Sequence, residues 1–220
     1  MHLSRVNRSK YSAKQAYDRL SGIYDLLAGT SESQFMHHGL QMLAVHQGES
    51  ILEIGSGTGK ALVELCHQAG ESGKVHALDL SSGMLQISHQ RLVRAGLRQR
   101  VSLLEGDGCT LPYKSGCFNA VFLSFTLELF DTPEIPLVMA ECQRVLVPDG
   151  RLGVVAMLKT EHPGWIERLY EWFHAHIPNY VDCRPIDAHW MIQEAGFSIE
   201  KRQVRNMWGL PLEIVIARKV

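Results

Sequence analysis

No window of this 220-residue chain approaches the roughly 18 apolar residues of a membrane-spanning helix, and its opening stretch, MHLSRVNRSKYSAK, lacks the apolar run of a secretory leader. Disulfide and zinc frameworks are missing too. The five cysteines (Cys66, Cys109, Cys117, Cys142, Cys183) are odd in number and form no C-x-x-C pair, and they read as reduced, mostly buried thiols of a cytosolic protein. Basic runs are absent: 22 basic against 23 acidic residues leave a net charge of -1, with no field to steer the chain toward a polyanion. Nucleic acid is therefore not expected as a partner. No internal repeat or low-complexity segment interrupts the chain, and its length suits one soluble, cytoplasmic domain with a sizeable core.

What is present centres on Ile51 to Lys60, ILEIGSGTGK. A short apolar run of strand length opens into three glycines at alternate positions, and Leu62, Leu65, Cys66 and Ala69 then recur at helical spacing. Strand, glycine turn and helix place backbone N–H groups at the carboxyl edge of a sheet, where open α/β folds bind ligands. Two common fingerprints fail here. The last glycine of G-x-G-x-x-G would fall at Lys60, and Gly59-Lys60 is followed by Ala61 where a phosphate loop needs Ser or Thr. What stands is E-x-G-x-G-x-G, with Glu53 at the strand end.

Taken in order, residues 1 to 10 read as a loose basic arm. Ser12 to about Leu27 reads as a helix with Tyr17, Leu20, Tyr24 and Leu27 on one face, interrupted by Gly22, and Ser31 to His46 as a second helix. Lys74 to Leu80 is a second strand, ending at Asp79, 20 residues beyond Gly59, where an α/β fold puts a carboxylate to accept both hydroxyls of a ribose. Ser81 or Ser82 caps a helix that Gly96 stops. Strands follow at Val101 to Leu104, Phe118 to Phe125 and Arg151 to Met157, the last preceded by a helix from Pro133 to Val147 and a Pro148-Asp149-Gly150 turn. Five alternations of strand and helix argue a parallel sheet covered on both sides. Beyond Leu158 come an aromatic helix (Pro163 to Ile177), a loop, a helix from Ile186 to Ala195, and an antiparallel pair, Ile199 to Val204 and Leu212 to Ala217.

This order resembles a family. Asp79 ending the second strand, Gly-Asp-Gly at 106 to 108, the apolar fourth strand leading into Ser124-Phe125-Thr126-Leu127, and R-V-L-V-P-D-G-R from 144 to 151 resemble class I S-adenosylmethionine-dependent methyltransferases of the methylase-11 type, particularly those acting on quinone precursors or phospholipid amines. The resemblance covers Tyr11 to the C-terminus. It implies an α/β, Rossmann-like, doubly wound sheet of seven mostly parallel strands, order 3-2-1-4-5-7-6 with strand 7 antiparallel, and an N-terminal helical cover. Within one domain, 1–46 would be the cover, 47–158 the cofactor core, and 159–220 the acceptor-side helices and strand pair. Carried over by position, Gly55 and Gly57 bend around the methionine part of S-adenosylmethionine, Glu53 supports the loop, Asp79 holds the ribose diol and Leu80 touches adenine. Asp107 accepts the adenine amino group, with Gly108 and Cys109 beside it, and Met84 and Ser124 complete the set. Tyr17 and Tyr24 offer π faces to a sulfonium, or else pack in the core. Asp79 and Asp107 also have a plainer reading as turn residues, and Cys109 as a small packed residue with no nucleophilic role.

The acceptor is less defined. A general base is needed only if the acceptor must lose a proton, and the weak candidates are His176, His189 and Asp182, with His162, His174 and Glu128 also near likely rim segments in sequence. Pro-Pro-Tyr and Pro-Cys motifs of nucleic-acid methylation are absent, and no metal is implied. A small-molecule or lipid acceptor remains. Three readings stay open: methylation of a quinone-type ring or its hydroxyl, N-methylation of a phospholipid headgroup amine, and a non-catalytic cofactor-binding module. In Pro163 to Ile177, Trp165 and Trp172 share one stripe and Tyr170 and Phe173 the next, which suits a core helix, an acceptor pocket wall or a peripheral membrane contact.

Overall fold

The structure, a computed structural model, describes residues 10, 12, 14–18, 31–160, 164–166 and 183–220. Seven strands form one sheet: β1 (Ser50–Ile54), β2 (Lys74–Asp79), β3 (Val101–Glu105), β4 (Phe118–Ser124), β5 (Leu146–Met157), β6 (Phe197–Met207) and β7 (Leu210–Lys219). Their order is β3-β2-β1-β4-β5-β7-β6. β7 runs antiparallel to both of its neighbours, and the pairs among β1 to β5 are parallel. The sheet is the one implied by the resemblance.

Alternation within the central strands builds two cores. Ile51 of β1 and Ala120 and Phe122 of β4 point to one apolar cluster, while Leu52, Ile54, Val121 and Leu123 point to the other. Helices α1 (Ser31–Leu43) and α2 (Lys60–Ala69) cover the first face. α2 buries Leu62, Leu65, Cys66 and Ala69, the residues whose spacing predicts its inner face. Helices α4 (Ile135–Val145) and α5 (Ala188–Glu194) cover the second. Between them in sequence, α3 (Ser82–Arg94) is capped by Ser81, whose hydroxyl accepts from Met84 N at 3.1 Å.

Among the boundaries that differ from the sequence reading, three have a tertiary reason. The helix expected to reach Val147 stops at Val145, because Leu146 takes an extended conformation and pairs with Phe118, so that Pro148-Asp149-Gly150 lies within an irregular stretch of β5. The helix expected from Ile186 starts at Ala188, because Ile186 forms a parallel bridge with Leu158 and Asp187 caps the helix by accepting from Trp190 N. β6 and β7 run longer than their apolar patterns suggest, since β6 is an edge strand whose outer positions are exposed and polar. Lys10, read as part of a loose arm, is helical and ion-paired; Ser12 and residues 14–18 are helical as well.

Candidate functional site

The carboxyl ends of β1, β2 and β4 surround a cavity of about 340 Å³. Its floor is the glycine turn. Gly55 has a φ of 71°, and a Cβ there would collide with Thr126 of the loop after β4, so the turn needs glycine on two counts. Gly55 N and Ser56 N both donate to Leu78 O, at 2.7 and 3.3 Å, which locks the turn to the end of β2.

The next N–H in that turn decides the ligand chemistry. Gly57 N donates to Asp79 Oδ2 at 2.7 Å, and Ser81 N donates to Asp79 Oδ1 at 2.9 Å. In a phosphate loop such an N–H would face the phosphate; here a carboxylate occupies its direction and would repel one. Each Asp79 oxygen accepts one of these hydrogen bonds and the Leu80 N–H also bears on the carboxylate, whose roughly four lone-pair sites leave capacity for a ligand hydroxyl. Burial raises the Asp79 carboxyl above its ordinary value, opposed by the N–H groups of Ser81 and Gly57. Glu53 lies deeper. It is fully buried, its carboxyl is pushed well above the usual range by burial and then by the charge of Asp79, and its Oε2 has no hydrogen-bond partner among the described residues. An orphaned buried carboxylate of this kind awaits a donor or a cation.

The wall as a whole is acidic and apolar. Glu32, Glu53, Asp79, Asp107, Asp131 and Glu134 line the cavity against two lysines, Lys10 and Lys60, and Met36, Phe125, Leu129 and Phe130 supply apolar surface. Lys10 is held at 2.5 Å by Asp107 Oδ2 and at 2.8 Å by Glu134 Oε1. Lys60 donates to Ser33 Oγ at 3.2 Å. Such a site suits a cation carrying an apolar or aromatic body.

Most of the residues singled out in sequence meet here. Tyr17, Glu53, Gly55, Gly57, Asp79, Leu80, Met84, Asp107, Gly108 and Ser124 all line the cavity. Cys109 stands just behind the wall: its N–H donates to Asp107 Oδ1, and burial together with the Asp107 charge pushes its thiol up to about 11, which suits packing rather than nucleophilic attack. His189 lies in the first turn of α5, where its backbone N donates to Glu213 Oε1, and it does not line the cavity. Tyr24, His162, His174, His176 and Asp182 lie outside the described residues, as does most of Pro163 to Ile177.

Sequence reading missed the N-terminal polar contacts. Asp18 accepts from Ser81 Oγ at 2.6 Å and from Gly83 N at 2.9 Å, adding a second acceptor at the start of α3, and Lys14 pairs with Glu105. Lys10 closes the row at Asp107. Their one visible signal was the spacing of Lys10, Lys14 and Asp18, which places all three on one helical face.

Comparison with known proteins agrees with this geometry. Residues 51–150 match the family described as a methyltransferase domain. A demethylmenaquinone methyltransferase of Lactobacillus johnsonii is 30% identical over 153 residues, 68% of this chain and 61% of that protein. The matched region spans about three fifths of the length of such curated relatives. A S-adenosylmethionine-dependent methyltransferase from Aquifex aeolicus superposes with a TM-score of 0.63 at 20% identity, covering 97% of this chain and 100% of that one. The 4+2 cyclase SpnF superposes at 0.76 with 17% identity, covering 99% of each chain. At such identities these two establish the fold alone. With the glycine turn, the paired carboxylates and the matched region in agreement, residues 51–150 are those of a methyltransferase domain, set in a fold shared with the S-adenosylmethionine-dependent enzyme of Aquifex aeolicus.

Proposed function

We propose that the protein transfers a methyl group from S-adenosylmethionine to a lipid-soluble, quinone-type ring or its hydroxyl. The observation that carries this reading is the composition of the cavity wall: carboxylates for a cationic cofactor, and Met36, Phe125, Leu129 and Phe130 for an apolar acceptor. The name of the Lactobacillus johnsonii relative points to the same acceptor class. A phospholipid headgroup would bring a phosphate to the site. The two lysines of the wall are already engaged, with Asp107 and Glu134 and with Ser33, so they are poorly placed to receive one.

The residues present fit the cofactor. The unpaired Glu53 oxygen, the glycine turn without side chains and the diol-ready Asp79 would hold its amino-acid part and ribose, and Asp107 its adenine amino group. When bound, the cofactor supplies an electrophilic methyl carbon on a sulfonium. The chain's own contribution is alignment and exclusion of water: the turn fixes one partner, the aromatic loop after β4 confines the other, and the N-terminal helix closes the rim. If the acceptor atom must lose a proton, a carboxylate of the wall such as Asp131 or Glu32 is in the same cavity to take it.

The direct test is incubation with methyl-labelled S-adenosylmethionine and separated quinone and phospholipid fractions of a bacterial lipid extract. Label appearing in a quinone-type ring supports the proposal. Label confined to a headgroup amine moves the function to the second class, and cofactor binding with no transfer to either fraction makes the protein a binding module.

A further inference from the structure

The hairpin joining β6 to β7 is unlike the rest of the surface. Its two-residue turn is Trp208-Gly209, closed by Gly209 N donating to Asn206 Oδ1 at 2.7 Å, and Trp208 has a φ of 55°. Left-handed backbone is costly for a bulky L residue, and 75% exposure gives this indole little burial in return. A turn selected for stability alone would carry Asn or Gly there. Beside it, Ile166 packs so close to Gly209 that a Cβ would meet its Cδ1, and the neighbouring Trp165 is 74% exposed. Two exposed indoles, Trp165 and Trp208, are thus each next in sequence to a residue of one packed contact.

The position of this tip relates it to the cavity. Met157 at the carboxyl end of β5 pairs with Leu212, and Leu158 N donates to Pro211 O, so the hairpin projects from the sheet edge at which the cavity opens. Phe125 of the cavity wall shares one apolar cluster with Met157, Leu212, Met207 and Leu210, against which Ile166 packs. Apolar packing thus runs from the cavity wall to Met207, Leu210 and Ile166, the residues that flank the exposed indoles. The strand leading to the tip adds charge: residues 201–208, KRQVRNMW, contain three basic residues and no acidic one. Arg202 is neutralised by Glu213 at 2.9 Å, whereas Lys201 donates to the Met42 carbonyl and Arg205 to Gln203 Oε1. Val204 between them is 54% exposed.

We propose that the Trp208 tip, Trp165 and the basic edge of β6 form a docking edge for the surface of an anionic phospholipid bilayer, from which the cavity takes its acceptor. The proposal rests on the reading of that acceptor as lipid-soluble. Indoles favour the boundary between headgroups and acyl chains, and basic residues are drawn to anionic headgroups. No helix among the described residues is long and apolar enough to cross a membrane, so contact through this edge would be peripheral.

The test uses the full chain with vesicles of phosphatidylcholine alone or mixed with phosphatidylglycerol. The expected result is co-sedimentation with the anionic vesicles, weakened by salt, and quenching of tryptophan fluorescence by brominated acyl chains. Arg205→Gln should weaken binding about fivefold, the effect of one basic residue at an anionic surface. Trp208→Asn and Trp165→Ala should weaken it more, and Asn suits the left-handed turn, so the first of these should melt no lower than the wild type. The proposal is overturned if the wild type stays in the supernatant with anionic vesicles, or if both tryptophan variants bind as the wild type does. It is also overturned if Trp208→Asn dissociates an oligomer seen by light scattering without lipid, which would assign the tip to a second copy. Turnover of a short-chain, water-soluble quinol is read separately. Turnover without vesicle binding overturns the docking edge alone, and vesicle binding without turnover of any quinone-type acceptor overturns the acceptor reading alone.

Discussion

The wall of the cavity built from β1, β2 and the glycine turn is held through buried backbone hydrogen bonds, whereas the N-terminal helical stretch rests on the rim through its own side chains, Lys10, Lys14 and Asp18. Asp79 is 9% exposed and accepts from two backbone N–H groups; the side chains of Lys10 and Asp107 are 38% and 29% exposed and meet each other directly. Backbone-anchored carboxylates keep their geometry whether or not a ligand is present, which is what preorganisation requires. Ion pairs at a rim are worth far less and can open and close. The difference separates a wall fixed by the backbone from a rim held by side chains, the part proposed to act as a cover, and it orders the effects expected of substitutions.

The largest effect belongs to the fixed wall. Asp79→Ala removes the carboxylate proposed to accept the ribose hydroxyls and should weaken S-adenosylmethionine binding by roughly 2 to 4 kcal/mol, read by calorimetric titration. Unchanged affinity would break the assignment of Asp79. Next comes Glu53→Gln, where stability and binding should move in opposite directions. A buried carboxyl whose native pKa is raised binds a proton more tightly folded than unfolded, so wild-type stability is highest at acid pH and falls as pH rises above the ordinary value of 4.5. Glutamine has no such titration. At neutral pH the variant should therefore be more stable by about 1 to 3 kcal/mol, with the difference shrinking as pH falls toward 4.5, while its affinity for the cationic cofactor drops. Thermal melts across pH, with and without S-adenosylmethionine, read both quantities. A variant less stable than the wild type at pH 7 would mean that Glu53 is satisfied in the native state by a group of the protein itself.

The same contrast explains which parts were legible in sequence. The fixed wall is local: Glu53, the alternate glycines and Asp79 each sit at a strand end, and their spacing along the chain carries the geometry. The seven-strand order came from the resemblance, supported by the alternation of elements and the C-terminal strand pair. Rim contacts are non-local. Lys10 meets Asp107 and Glu134, and Asp18 meets Ser81 and Gly83, across separations that no periodicity records. The early end of α4 at Leu146 failed to show for a similar reason, since its cause is a pairing with Phe118. The exposed tip at Trp208 was hidden because an edge strand with polar outer positions gives no alternating signal.

The smallest effect tests the cover itself. Asp107 has one oxygen engaged by Cys109 N and the other by Lys10, so an adenine amino group proposed to bind there would share its acceptor with one of these two donors. Burial alone would raise the Asp107 carboxyl, but Lys10 and the Cys109 N–H more than offset it and hold it below its ordinary value. The clasp is therefore complete above the ordinary carboxylate range and is lost only as pH falls through the lowered native value. If Lys10 competes with the amino group, Lys10→Gln should tighten S-adenosylmethionine binding by about two- to fivefold, the range of an exposed ion pair. A purine analogue of the cofactor lacking that amino group should gain nothing from the same substitution, because it makes no claim on the freed oxygen. Hydrogen exchange at residues 14–18 should then be faster in the unliganded variant than in the wild type, since one of the contacts that hold the stretch has been removed. Weaker binding of S-adenosylmethionine by Lys10→Gln would reverse the reading: Lys10 would belong to the closed, ligand-bound cover, and the adenine amino group would find its acceptor elsewhere along the wall.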